Sequence, residues 1–308
     1  MLPTVWKIAR GEARSDLAVV VVEIGHREHC VARASTARRV DYTPATPDVP
    51  FECFTLGELR GRVGGAELGG LQQLHFDMII ACSKGRAAHE VDFETATIDR
   101  HRWLHIRPGQ VHRWIDSGYD ADLVLLARSV RSPHWSPGPR IIELDNDQLH
   151  DIGPLLDLAR HQRRTDVGAS ALHALRDLLV RWLAFDRPEH SESDPLYADF
   201  RRLLDNRILH ARNVEHCATH VNCSARTLAR SCRRVGAPSP KTLIDEAALL
   251  EAQRLLALPS ATVTATSATL GFDEVTNFTN FTKFFKRVGG ETPSAWQAAH
   301  QINLTDQP

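Results

Sequence analysis

The hydrophobic period of this chain changes once, near Pro139, and that change limits the fold more than any other feature. Between Phe51 and about Trp135, short runs rich in Val, Ile, Leu and aromatic residues are separated by Gly, Pro and Asp. A strand alternates its side chains between two faces, whereas a helix gathers positions three and four apart onto one. The runs Glu58–Val63, Gln72–Ala81, Ala88–Phe93, Arg102–Ile106, Val111–Asp116 and Ala121–Ala127 fit the strand pattern. Six such runs joined by turn residues predict a small antiparallel sandwich or barrel.

Beyond Pro139 the spacing is helical. Leu149, Ile152, Leu155, Leu156 and Ala159 predict a helix over Asp147–His161. Leu172, Leu175, Leu178, Leu179, Trp182 and Leu183 predict another over Ala169–Phe185. These stripes can pack on the β domain or on a second copy of the chain, because periodicity names no partner surface. DRPEHSESDP, from Asp186 to Pro195, reads as a polar linker.

Residues 1–50 form a poorly defined extension that ends in the proline-punctuated YTPATPDVP, and the biological start is expected downstream of its first part. Its apolar run Leu17–Val22 is shorter than a signal-peptide core or a membrane span, so neither export nor anchoring is expected. The six cysteines, Cys30, Cys53, Cys82, Cys217, Cys223 and Cys232, include no CxxC pair and fit reduced thiols in a cytoplasm. A zinc site across Cys217, Cys223 and Cys232 would need tighter paired spacing, and buried apolar thiols are the simpler reading.

Leu196 to His300 carries the most information. Val214–His220 predicts a short helix, Val221–Cys223 a turn, and Ser224 an N-cap that opens a helix through Arg234. In that second helix Leu228 and Cys232 are spaced for the inside, which leaves Arg226, Arg230, Arg233 and Arg234 to face outward. Such a helix fits a DNA major groove, where Arg can pair with the acceptor edge of guanine or hold a phosphate; a solvated basic face is the plainer alternative. After a helix over Pro240–Ala257 the pattern repeats, with Thr262–Thr269 as positioning helix, Leu270–Phe272 as turn and Glu274–Arg287 as recognition helix. A connecting helix of about 25 Å would present the two units to successive groove segments.

The ordered series SARTLAR, LLEAQRLLA, LGF, TNF, TKFFKR and GGETPSAW resembles the AraC/XylS transcriptional regulators over residues 196–300. The resemblance implies an α+β multidomain protein: a cupin-like N-terminal β domain for sensing or dimerisation, a helical linker and dimerisation region, and an all-α C-terminal domain with two helix-turn-helix units. The corresponding spans are 51–140, 141–190 and 195–300. By motif position the DNA-binding residues would be Ala225, Arg226, Thr227, Ala229 and Arg230 in the first unit. In the second they would be Val275, Thr276, Asn277, Thr279 and Lys283.

The second unit departs from the family pattern, because Thr276-Asn277-Phe278 is followed at once by Thr279-Asn280-Phe281. Three added residues turn a helix by about 300°, so the helix must bulge or shift its register. Thr262, Thr264, Thr266 and Thr269 weaken helix propensity in the positioning helix, and Thr266 stands where the family favours an apolar core residue.

HEVDF and PGQVH, within His89–Trp114, resemble the cupin portion of these regulators. His89 and His112 occupy the places of two cupin metal ligands, but Val91 replaces the second histidine of the first motif, and His112 reads better as a hydrogen-bonded strand residue. An effector would enter the barrel mouth, with Gln72, His75 and Trp103 as candidate wall residues whose facing alternation leaves open.

The 37 basic and 38 acidic residues would by themselves argue against a nucleic-acid partner. From Pro195 to His300, however, 13 basic residues face 9 acidic ones, a surplus of four, and the remainder carries −5. The expected protein is a cytoplasmic, homodimeric, sequence-specific activator or repressor that binds double-stranded DNA. A small effector and RNA polymerase are further candidate partners; no enzyme activity, cofactor, metal or membrane is expected. The competing expectations are a metal-dependent cupin enzyme with a structural helical tail, and an interaction protein that has lost specific DNA binding.

Overall fold

The computed structural model describes residues 38–40, 51–63, 70–116, 118–126, 141–162, 173–178, 194–205, 213–258, 261–272 and 275–301. They fall into two units, Met1–Asp186 and Arg187–Pro308.

Strand alternation builds the first unit. Its strands are β1 (Arg38–Val40), β2 (Phe51–Thr55), β3 (Gln72–Leu74), β4 (Asp77–Lys84) and β5 (Arg86–Val91), then β6 (Glu94–Asp99), β7 (Arg102–Ile106), β8 (Val111–Trp114), β9 (Asp120–Leu126) and β10 (Ile141–Glu143). They form one sheet in the order β1-β3-β8-β5-β6-β7-β4-β9-β2, with β10 added beside β7. Only the β1–β3 pair among these is parallel, and the sheet curls into a half-barrel.

The central strands β4 and β9 are buried on both faces. Met78, Ile80, Leu123 and Leu125 join the cluster that contains Phe54, Ile98 and Leu104. The alternate residues Ile79, Ala81, Val124 and Leu126 join a second cluster with Trp103 and with Ile152, Leu156 and Ala159 of α2 (Asn146–Gln162). Burial on two faces makes a strand read as a continuous apolar run. Trp103 therefore belongs to the helix-covered face and does not line the half-barrel's interior.

Several strand expectations are corrected. Glu58–Val63 lies within a helix, α1 (Leu56–Val63), not a strand. The reason is a capping box: the Glu58 amide donates to Thr55 Oγ1 at 3.1 Å, and the Thr55 amide donates back to Glu58 Oε2 at 2.8 Å. The Gln72–Ala81 run breaks into β3 and β4 at His75–Phe76, because its halves pair with different neighbours, β3 with β1 and β8, and β4 with β7 and β9. β1, β2, β6 and β10 were not expected at all. β1 draws residues 38–40, read as extension, into the sheet. β6 follows a two-residue turn in which Asp92 and Phe93 both have positive φ, 51° and 66°, as the preferred hairpin turn requires.

A second capping box starts α2, where Asp145 Oδ1 accepts from the Gln148 amide and Gln148 Oε1 accepts from the Asp145 amide. Of the helix expected over Ala169–Phe185, residues 173–178 are helical, with Leu175 buried and Leu178 exposed. The rest of that segment lies outside the described residues.

The second unit contains α3 (Pro195–Asp205), α4 (Val214–His220), α5 (Ala225–Arg234), α6 (Pro240–Leu256), α7 (Val263–Thr269), α8 (Val275–Gly289) and α9 (Pro293–Gln301). α3 has no counterpart in the sequence reading, although its spacing is amphipathic. It supplies Phe200, Leu203 and Leu204 to a core shared with Cys217, Leu228 and Ile244.

Candidate nucleic-acid interface

The first helix-turn-helix is assembled from local caps. Asn213 accepts the His216 amide at 3.0 Å and starts α4. The chain then reverses through Val221–Cys223, with Asn222 in the left-handed region at φ 53°. Ser224 accepts the Thr227 amide at 3.1 Å and starts α5. Asparagine and serine are the residues that suit these positions, one for positive φ and one for the cap.

α5 is divided sharply in environment. Leu228, Ser231 and Cys232 are buried, while Arg226, Thr227, Arg230, Arg233 and Arg234 are exposed and Ala225 and Ala229 half-buried. Arg226, Arg230 and Arg233 form no ion pair with any described residue. Arg234 differs, because its Nη1 lies 2.9 Å from Oδ2 of the buried Asp194. Asp194 also caps α3, as its Oδ1 accepts from the amides of Leu196 and Tyr197 at 3.1 and 3.4 Å. Burial pushes the Asp194 carboxyl up, but the nearby Ser231 hydroxyl, the two amides and the Arg234 charge outweigh it and hold the group below its usual range.

Ser239 caps α6 by accepting the Thr242 amide, with Pro240 at the first helical position. Seventeen residues long, α6 joins the two helix-turn-helix motifs. In the second unit Thr262 caps α7, and Ser267 satisfies its buried hydroxyl by donating to the Phe272 carbonyl at 3.1 Å. Thr266 is buried at 3% exposure, so a hydroxyl-bearing side chain does occupy the core position. Gly271 takes φ 77° in the turn, which only glycine adopts without strain.

α8 runs as unbroken α-helix through both Thr-Asn-Phe copies, so the added triplet is absorbed without a bulge. Thr279 and Lys283 are exposed on it. Val275, Thr276 and Asn277 lie in its first turn. Phe281 and Phe285 are fully buried. Phe285 meets Trp296 of α9 at 6.4 Å.

Cys217 and Cys232 are buried among apolar side chains, and burial pushes both thiols up. They act as core residues. In the β-rich unit His89 Nε2 and His112 Nδ1 stand 3.1 Å apart, both rings fully buried beside Trp114, while His89 Nδ1 and His112 Nε2 are buried without a hydrogen-bond partner among the described residues. Burial holds both imidazoles neutral, His89 well below its ordinary value and His112 down to about 3. His105 is bonded to Asp77 at 2.9 Å. No group of three or more metal-ligating side chains occurs among the described residues. Nor is any helix among them long and apolar enough to cross a membrane.

Two cap-started helix pairs, each ending in a helix with exposed polar or basic residues, define a DNA-binding protein of the helix-turn-helix class. Residues 217–299 match the helix-turn-helix domain family. That match agrees with the helix-turn-helix geometry of α4–α5 and α7–α8 and supports a DNA-binding regulator. No curated protein sequence matches it. Among solved structures it is similar to a DNA-binding transcriptional dual regulator from Escherichia coli K-12, at 18% identity and TM-score 0.30, over 34% of this chain and 91% of that one. It is also similar to fatty-acid-bound ToxT from Vibrio cholerae, at 9% identity and TM-score 0.36, over 84% and 97%. The AraC-like transcriptional activator CuxR shares 12% identity at TM-score 0.27, over 66% and 73%. At such identities and TM-scores these likenesses carry no functional argument.

Proposed function

We propose that the protein reads a specific duplex sequence by inserting α5 and α8 into successive major-groove segments. The observation that carries this reading is the α5 surface: Arg226 and Arg230, one turn apart and unpaired among the described residues, project opposite a helix face locked by Leu228 and Cys232. Arg226 and Arg230 pair with base edges, flanked by Ala225, Thr227 and Ala229, while Arg233 holds phosphate. The second unit contributes from the set Val275, Thr276, Asn277, Thr279 and Lys283. A surplus of four charges is small for a DNA binder, so affinity depends on pairing with a second copy through the cupin-like domain and the 147–185 helices. A small effector in the cupin-like domain would control that pairing, RNA polymerase would be the downstream partner, and the site of action would be the cytoplasm.

The test is selection of binding sites by the full chain from a randomised duplex library. A defined motif is expected, and Arg226→Ala should weaken binding by about 1–3 kcal/mol and relax preference at one position. An unchanged preference in that variant would reject base reading by Arg226.

A further inference from the structure

The second recognition helix contains two candidate reading triplets, Thr276–Phe278 and Thr279–Phe281, and the packing of Phe281 sets the orientation of the second. Phe281 is fully buried. Its ring meets Phe272 of the turn at 5.2 Å and Phe285, one turn further on, at 5.9 Å. Phe284 also meets Phe272, at 5.7 Å. At the far end of α8, Arg287 Nη2 lies 3.0 Å from Oδ2 of the buried Asp245 of α6. Its guanidinium also lies over the Phe284 ring, 5.9 Å from the centroid. These contacts, from the middle of α8 to its last turn, fix how the helix is rotated about its own axis.

With Phe281 and Phe285 inward, Thr279, Asn280 and Lys283 are exposed. Positions 279 and 283 are four apart and 280 and 283 three apart, so the three share one surface of the helix. Counted forward from the turn at Phe272, the reading positions fall on Thr276 and Asn277. Counted back from the packed Phe281, they fall on Thr279 and Asn280. Packing sets orientation, so the second count governs.

We infer that the second triplet reads the bases, with Asn280 recognising adenine and Thr279 and Lys283 beside it, and that Thr276–Phe278 is an added stretch at the start of the helix. This rests on the DNA-reading function proposed above and narrows it, replacing Asn277 with Asn280. The Asn280 amide suits adenine because its N–H donates to N7 while its oxygen accepts from the N6 amino group. Threonine can bond either partner of a base pair, and the Lys283 ammonium suits guanine or phosphate.

The experiment is site selection by the full chain from a randomised duplex library, comparing the parent with Asn280→Ala, Asn277→Ala and Arg226→Ala. Arg226→Ala should flatten one segment of the motif. Asn280→Ala should lower an adenine preference in the other segment by tenfold or more, and Asn277→Ala should leave the motif as it was. Loss of that preference in Asn277→Ala, or an unchanged motif in Asn280→Ala, overturns the inference while DNA reading stands. A parent chain that selects no motif overturns DNA reading itself, and the inference with it.

Discussion

Asp194 Oδ2 lies 2.9 Å from Nη1 of Arg234, so one buried carboxylate joins the start of α3 to the last turn of the first recognition helix. Asp245 does the same for the second, holding Arg287 from α6. In each helix-turn-helix the final arginine of the recognition helix is tied to a neighbouring helix, while Arg226 and Arg230 of α5 and Thr279 and Lys283 of α8 are exposed.

Replacing Asp194 should loosen the first unit. Asp194→Ala removes the α3 cap and the ion pair and should cost about 1–2 kcal/mol, measured by denaturant unfolding. Asp194→Asn keeps a capping oxygen and should cost less. Because the folded carboxyl titrates below its ordinary value, its contribution is present above about pH 3.9 and is lost as pH falls through the lower folded value. Asp194→Asn should remove that acid-sensitive part; equal acid sensitivity in parent and variant would contradict it.

The His89–His112 pair predicts a pH dependence for the β-rich unit, Met1–Asp186. Both shifts are downward, and His112 stays neutral in the fold to about pH 3. The unfolded chain binds protons near pH 6.5, so stability is full above that value and falls as pH drops from about 6.5 towards 3. Each histidine contributes a slope of about 1.4 kcal/mol per pH unit within the window. Unfolding followed by tryptophan fluorescence at pH 7.5 and 5.5 should show the loss, and a His89→Gln/His112→Gln double variant should flatten it.

Leu228 is fully buried between the helices of the first unit. Leu228→Ala should cost about 2–5 kcal/mol and abolish DNA binding through the first recognition helix. Calorimetric unfolding that matches the parent would contradict its place in the core.

Deleting Thr276–Phe278 should preserve or improve specific DNA affinity. The deletion leaves Phe281, Phe284 and Phe285 in their contiguous run and shortens the path from Phe272 to Phe281. A large loss of operator binding in a gel-shift titration would sink the idea.

Sequence legibility followed the range of the deciding interaction. α4 and α5 were readable to the residue because Ser224 and the Val221–Cys223 turn act within three or four positions. α1 was misread, although Thr55 and Glu58 carried a local signal, because its Leu and Val residues resemble a short strand. The division of β3 from β4 depends on β1, β8, β7 and β9, which no local pattern reveals. The mutual bond of His89 and His112 is likewise a cross-strand matter, placed by the register of β5 against β8. The burial of Phe281 against Phe272 of the turn is likewise a tertiary contact that no local pattern reveals.

On the proposed reading of one duplex by α5 and α8, the 17-residue helix α6 would make the second helix-turn-helix a gauge as well as a reader. Each residue of a helix adds about 100° and 1.5 Å, whereas each base pair adds about 35° and 3.4 Å. One residue inserted into α6 would therefore demand about three base pairs of rotation but less than half a base pair of travel. No change in the separation of two DNA segments meets both demands. Evolution can thus alter the letters each helix reads far more easily than the phase at which the two are read.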